Sequence, residues 1–164
     1  MKIIKLPASR VHDLSAVLNS LSPAEIAKHS SGGDTIKSIR GVSKLCDELD
    51  EADAAYLATA AKLDKAVEQV RTEYQEQLKA VSGDKDAEAV LLKEANDKVK
   101  KVFDAESKKE GFEEAKEKMT EVRIGSEERY KLLKELVEKA GQEKYLNVKA
   151  LVATLDGIDA AIEG

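Results

Sequence analysis

From Asp34 to about Val81 the chain keeps apolar residues at helical spacing with no proline, and Gly41 is the only glycine in the stretch. Val42, Leu49, Tyr56, Leu63 and Val70 recur every seven residues, and Leu45, Cys46, Ala52, Ala60, Val67 and Tyr74 widen that stripe. Such a repeat predicts an amphipathic helix approaching coiled-coil regularity. "SGDKD" (Ser82 to Asp86) reads as a tight turn. Beyond it, Val90, Leu92, Ala95, Val99, Val102 and Phe103 put an apolar face on a second long helix. The expectation is an antiparallel helical hairpin whose arms are joined along the seven-residue seam. At about 1.5 Å per residue the first arm would be roughly 70 Å long. A compact domain of this length has a radius of gyration of only about 15 Å, so the arm should project as a rod from a smaller base.

The flanking segments supply that base. "KIIKL" (Lys2 to Leu6) is a β-type run ending at Pro7, and "TEVRIGS" (Thr120 to Ser126) reads as a second short strand. Val11, Leu14, Val17, Leu18 and Leu21 define a short helix with Ser9 as its expected N-cap. Ser22, Pro23 and Glu25 form a capping box with proline at its preferred first helical position. "EERYKLLKELVEKAG" predicts a helix ended by Gly141, "KYLNV" a possible third strand, and "KALVATLDGIDAAI" a closing helix or pair of turns. The fold expected is mainly α: one domain over 1–164, with a base of 1–33 and 120–164 and a hairpin of 34–119. A two- or three-stranded ribbon and terminal helices complete the base.

Composition narrows the chemistry. Charged residues make up 36% and aromatics only 4%, with no Trp, so any core is thin and aliphatic. The net charge of -5, with both signs interleaved, argues against a nucleic-acid footprint. No segment has the apolar length of a membrane span, and the apolar start is too short for a signal peptide. A lone Cys46 forms no internal disulfide. The expectation is a soluble protein made in the cytoplasm, without membrane or nucleic-acid partners.

"SSGGDTIKSIRG" (Ser30 to Gly41) superficially resembles a phosphate-binding loop. A P-loop places Gly directly before its Lys, whereas Ile36 precedes Lys37, and the preceding element is a helix rather than a strand. The stretch reads as a joint followed by an Asp34 or Thr35 helix cap. His12 and His29 fall on different short helices, and no zinc-type spacing occurs. Cys46 lies in the apolar seam with no base set beside it, so it reads as a small core residue. No cofactor is expected. Only an acidic pattern offers an enzymatic alternative: Glu73 and Glu76 on one arm, Glu94 and Asp97 on the other, each pair at i, i+3. Four facing carboxylates could hold Mg²⁺. That spacing resembles the ExxE…ExxD pattern of the all-α nucleoside triphosphate pyrophosphatases. Against it, Glu48/Glu51, Glu110/Glu113, Glu114/Glu117 and Glu135/Glu138 share the spacing, as solvated helix faces do.

The order of segments is informative in its own right. "MKIIKL" leads into "LSAVLNSLSPAEIAK" and "IKSIRGVSKLCDELDEADAAY", and the chain returns through "FEEAKEKMTEVRI" to end on "LVATLDGIDAAI". This resembles small helical-hairpin proteins encoded among the structural genes of long-tailed bacteriophages. The resemblance implies a virion or assembly role and carries no catalytic residues. The resulting expectation is a non-enzymatic structural protein that binds itself, as a homo-oligomer, or other phage subunits through helical faces. An adaptor or inhibitor of a host protein is a further alternative. The seam residues Val42, Leu49, Tyr56, Leu63 and Val70 are expected to join the arms. Leu146, Leu151, Val152, Leu155 and Ile158 are the candidate docking surface.

Overall fold

The computed structural model describes residues 1–144 and 148–163. In chain order the elements are β1 (Lys2–Pro7), α1 (Ala8–Asn19), α2 (Pro23–His29), α3 (Thr35–Ala80) and α4 (Lys85–Lys109). They continue with α5 (Phe112–Glu117), β2 (Met119–Gly125), α6 (Glu127–Lys144) and α7 (Val148–Glu163). The protein is mainly α, with α3 and α4 as a long antiparallel hairpin and one small antiparallel ribbon. The backbone separates into two compact units, residues 1–54 with 117–164, and residues 55–116.

The first unit is organised by alternation in the ribbon. β1 pairs with β2 from Lys2 opposite Gly125 to Pro7 opposite Met119. Ile4, Leu6, Val122 and Ile124 turn inward and are buried, while Lys5 and Glu121 face out as a 2.9 Å ion pair. This is the period-two pattern of a sheet with one covered face. Between Ile3 and Lys2 the register slips by one residue, and Gly125 takes up the bulge with φ +90°. Against the covered face pack α1 and α6, and α6 also meets α2 and α7. Tyr130, Leu133, Leu136 and Val137 of α6 are fully buried in a cluster with Val11, Leu14, Val17 and Leu18 of α1.

Local signals account for most boundaries. The Ser22 hydroxyl accepts from the Glu25 N–H at 3.3 Å, and the Glu25 carboxylate accepts from the Ser22 N–H at 2.7 Å. The expected capping box starts α2 as the sequence requires. Asp34 caps α3 by accepting from the Lys37 N–H at 3.0 Å, and Asp84 caps α4 by accepting from the Ala87 N–H at 3.1 Å. Gly83 (φ +97°) makes the hairpin turn. Gly111 (φ +62°) separates α4 from α5.

Two boundaries differ from expectation. Ser9 does not cap α1: the helix begins at Ala8, directly after Pro7, whose φ of -54° already suits a helix start. The Ala8 N–H is satisfied by the Lys118 carbonyl at 2.9 Å, a partner more than a hundred residues away that no local pattern could reveal. Gly141 does not end α6, which runs on to Lys144. Glycine in a helix costs about 1 kcal/mol against alanine, which lowers but does not forbid continuation. The possible strand over "KYLNV" has its centre, residues 145–147, outside the described residues, and its Val148 opens α7.

Candidate interaction surface

The expected seam divides between the two units. Val42 and Leu49, with Leu45, are buried in the cluster of the first unit among residues of β1, α1 and α6. They therefore do not join the hairpin arms, as the seven-residue repeat suggested. The first part of α3 uses the same stripe to complete the base. Close packing there also explains Gly41: a Cβ at that position would stand 3.0 Å from Leu132 Cδ2. Cys46 packs at the edge of this cluster, where burial foremost, and then Asp50 and Asp47, push its thiol pKa up. A raised thiol pKa means little thiolate and little nucleophilicity.

The C-terminal positions also belong to the base. Leu151 and Leu155 are buried in the first unit's core, and Val152 and Ile158 are half-buried against it. They form an internal face of α7 rather than a free docking surface, because α6 supplies the partner the sequence left unassigned. Lys134 ties the arrangement by ion pairs to Asp156 and Asp159, and Tyr130 Oη donates to the Leu155 carbonyl at 3.0 Å. Burial foremost, then the nearby Asp159 charge, raises the Tyr130 pKa, so its hydroxyl stays a donor. Leu146 lies outside the described residues.

A polar contact that sequence reading missed fastens α1 to α3. The Ser15 hydroxyl donates to Asp50 Oδ1 at 2.6 Å, and Asn19 Nδ2 donates to the same oxygen at 3.0 Å. His12 Nδ1 lies 2.8 Å from Asp53 Oδ2, and Asp53 is almost wholly buried. The spacing of His12, Ser15 and Asn19 on one helical face was the available signal. It went unread because Asp50 and Asp53 sit within "DELDEADAA", where acids look like solvated surface.

In the stretch Ser30–Gly41 a short turn runs into α3 and is tied to α6. Ser31 donates through both its N–H and its hydroxyl to Glu135 Oε2, at 3.1 and 3.0 Å, and Lys37 Nζ pairs with Glu128 at 3.0 Å. The lysine a P-loop would turn to phosphate is occupied by a carboxylate of α6.

In the second unit, α3 presents Leu63, Val67 and Val70 as buried positions, with Tyr56 stacked on Phe112 at 5.8 Å between ring centroids. The register of the hairpin follows from two ion pairs, Lys62 to Glu110 at 2.6 Å and Lys98 to Glu73 at 3.1 Å. α4 is rotated relative to expectation. Ala87, Leu91, Ala95, Val99 and Val102 are its half-buried apolar residues, at i, i+4, i+8, i+12 and i+15, whereas Val90 and Leu92 are 57% and 50% exposed. Phe103 is 39% exposed and meets Phe112 edge-on. Leu92, Asn96, Val99 and Phe103 thus form a second stripe, beside the one that α3 covers. Part of it, from Asn96 to Phe103, borders an open groove whose other wall includes Asp64, Val67, Glu68 and Arg71 of α3.

The four acids of the enzymatic alternative are not gathered. Glu73, Glu76, Glu94 and Asp97 are all exposed, and Glu73 is engaged by Lys98. Among the described residues no three His, Cys, Asp or Glu side chains are placed to hold a metal ion together. Among the same residues no helix is long and apolar enough to cross a membrane. Comparison with protein-family models, curated protein sequences and solved structures finds no match.

Proposed function

We propose that this protein is an interaction module without catalytic activity, which binds its partner through the helical faces of residues 55–116. The observation that carries this reading is the width of the apolar face on α4. A helix with one neighbour needs a narrow seam, whereas a helix with two neighbours carries a face of 100° or more. Leu91, Ala95 and Val102 serve α3, and Leu92 and Phe103 stand beside them, 50% and 39% exposed. The bacteriophage setting is supported by the order of segments, and it extends the reading to a virion or assembly component.

Amide hydrogen exchange in dilute solution tests the central point. Residues 55–116 should exchange faster than Leu133–Val137 of α6, because a hairpin with an uncovered face opens at lower free energy than a closed core. Equal protection in the two regions would mean that the hairpin is complete alone, and the reason for a partner would be gone.

A further inference from the structure

Along the groove between α3 and α4, Asp64 and Glu68 precede Arg71 and Lys100, and that order of charge points to its occupant. With Lys62 opposite Glu110 and Glu73 opposite Lys98, Glu68 stands level with Phe103 and Arg71 level with Lys100. Asp64 and Glu68 therefore lie on one side of the groove's middle, and Arg71 and Lys100 on the other, with Asn96 beyond them. Lys65 lies on the acidic side and tempers it without reversing it. Val67, Phe103 and Val99 give the groove an apolar floor that runs past both groups, with Phe103 level with Glu68 and Val99 just beyond Lys100. Within one chain these charges are barely used: Glu68 and Arg71 are 3.9 Å apart and more than 60% exposed.

Resting on the interaction reading above, we propose that the groove is closed by the same groove of a second copy of this chain. The two hairpins are related by a two-fold axis crossing the groove, giving an antiparallel four-helix bundle. A two-fold through the level between Glu68 and Arg71 reverses the second copy, so Glu68 of each copy lies on Arg71 and Lys100 of the other, twice over. Parallel packing would put like charge on like charge, which costs energy and steers the copies apart. A surface that matches itself under two-fold rotation is what an isologous dimer requires. Four helices also give Leu92 and Phe103 the second neighbour that the width of their stripe demands.

Sedimentation of the intact chain, from low micromolar to near-millimolar concentration, provides the test. The wild type should show a reversible monomer–dimer equilibrium, and Leu92→Glu should weaken it about tenfold or more. Two charge variants sharpen the result. Asp64→Lys with Glu68→Lys makes both sides basic, and Arg71→Glu with Lys100→Glu makes both sides acidic. Each should be monomeric alone, and an equimolar mixture should form the heterodimer. All four positions are exposed, and circular dichroism confirms that helicity is kept. A wild type that stays monomeric at every concentration overturns the proposal, leaving the interaction reading to the exchange measurement. A dimer unaffected by Leu92→Glu, or charge variants whose mixture stays monomeric, places the contact elsewhere and overturns it too.

Discussion

Leu63→Ala measures how much of the hairpin's stability resides in its buried stripe. The side chain is 1% exposed on the face of α3 that belongs to residues 55–116. At about 0.8 kcal/mol per methylene-sized group, the three carbons lost amount to about 2.4 kcal/mol. A rigid core would add a cavity term and bring the total toward 5 kcal/mol. Here the opposing wall is a single helix with an open groove beside it, so neighbours can settle into the space. The expected loss is therefore about 2–3 kcal/mol, at the low end of the range for buried leucine. Leu57→Ala, on the same helix but 44% exposed, should cost about half as much. Urea unfolding followed by circular dichroism gives the overall change, and hydrogen exchange across residues 55–116 shows where it falls. A Leu63→Ala loss below about 0.5 kcal/mol, the level of a surface substitution, would refute the assignment of the stripe. So would a loss no greater than that of Leu57→Ala.

Three further outcomes follow from features of the first unit. Ser22→Ala removes the hydroxyl that accepts from the Glu25 N–H and should cost about 0.5–2 kcal/mol by urea unfolding. Gly41→Val forces branched carbons toward Leu132, where even a Cβ would come to 3.0 Å, and should lower stability by about 1–3 kcal/mol. The Lys134 ammonium, foremost, holds the Asp159 carboxyl below its ordinary value of 3.8, so the folded chain favours the ionised form. That contribution is complete above the ordinary aspartate range and is lost as pH falls through the lowered value. The acid limb of a stability–pH profile should accordingly be shallower in Asp159→Asn than in the wild type.

How much could be read from the sequence depended on whether the cause was local. The bounds of α3, the turn at Gly83 and the Ser22 capping box are set by residues within a few positions, and the structure has them where the pattern put them. The pairing of β1 with β2 was also readable, because both runs alternate, with only the short "KYLNV" run as a competing strand. What periodicity could not reveal is which partner a stripe meets. Val42 and Leu49 lie on the same repeat as Leu63 and Val70, yet the first pair closes the base and the second lies in the hairpin. Adjacent Leu91 and Leu92 differ by about 100° around the helix axis, and only the packed register decides which one turns inward. The contact from Ser15 to Asp50 was hidden for a related reason: acids on a charged helix look solvated until a neighbour with matching donors is placed over them.

The ribbon has a consequence for the order in which the chain assembles. Its strands are separated by more than a hundred residues, so β1 has no partner until Met119–Gly125 have been made. At about 5–20 residues per second that delay is roughly 6–20 s, during which Ile4 and Leu6 wait without a sheet. The hairpin needs no such wait, since its contacts are between neighbours in sequence and form in microseconds to milliseconds. Once folded, it brings its own ends together, with Tyr56 already stacked on Phe112. The loop that β1 and β2 must then close is about half as long, a saving of about 0.6 kcal/mol in closure entropy. On this reasoning the hairpin should form before the ribbon and shorten the loop that the ribbon has to close.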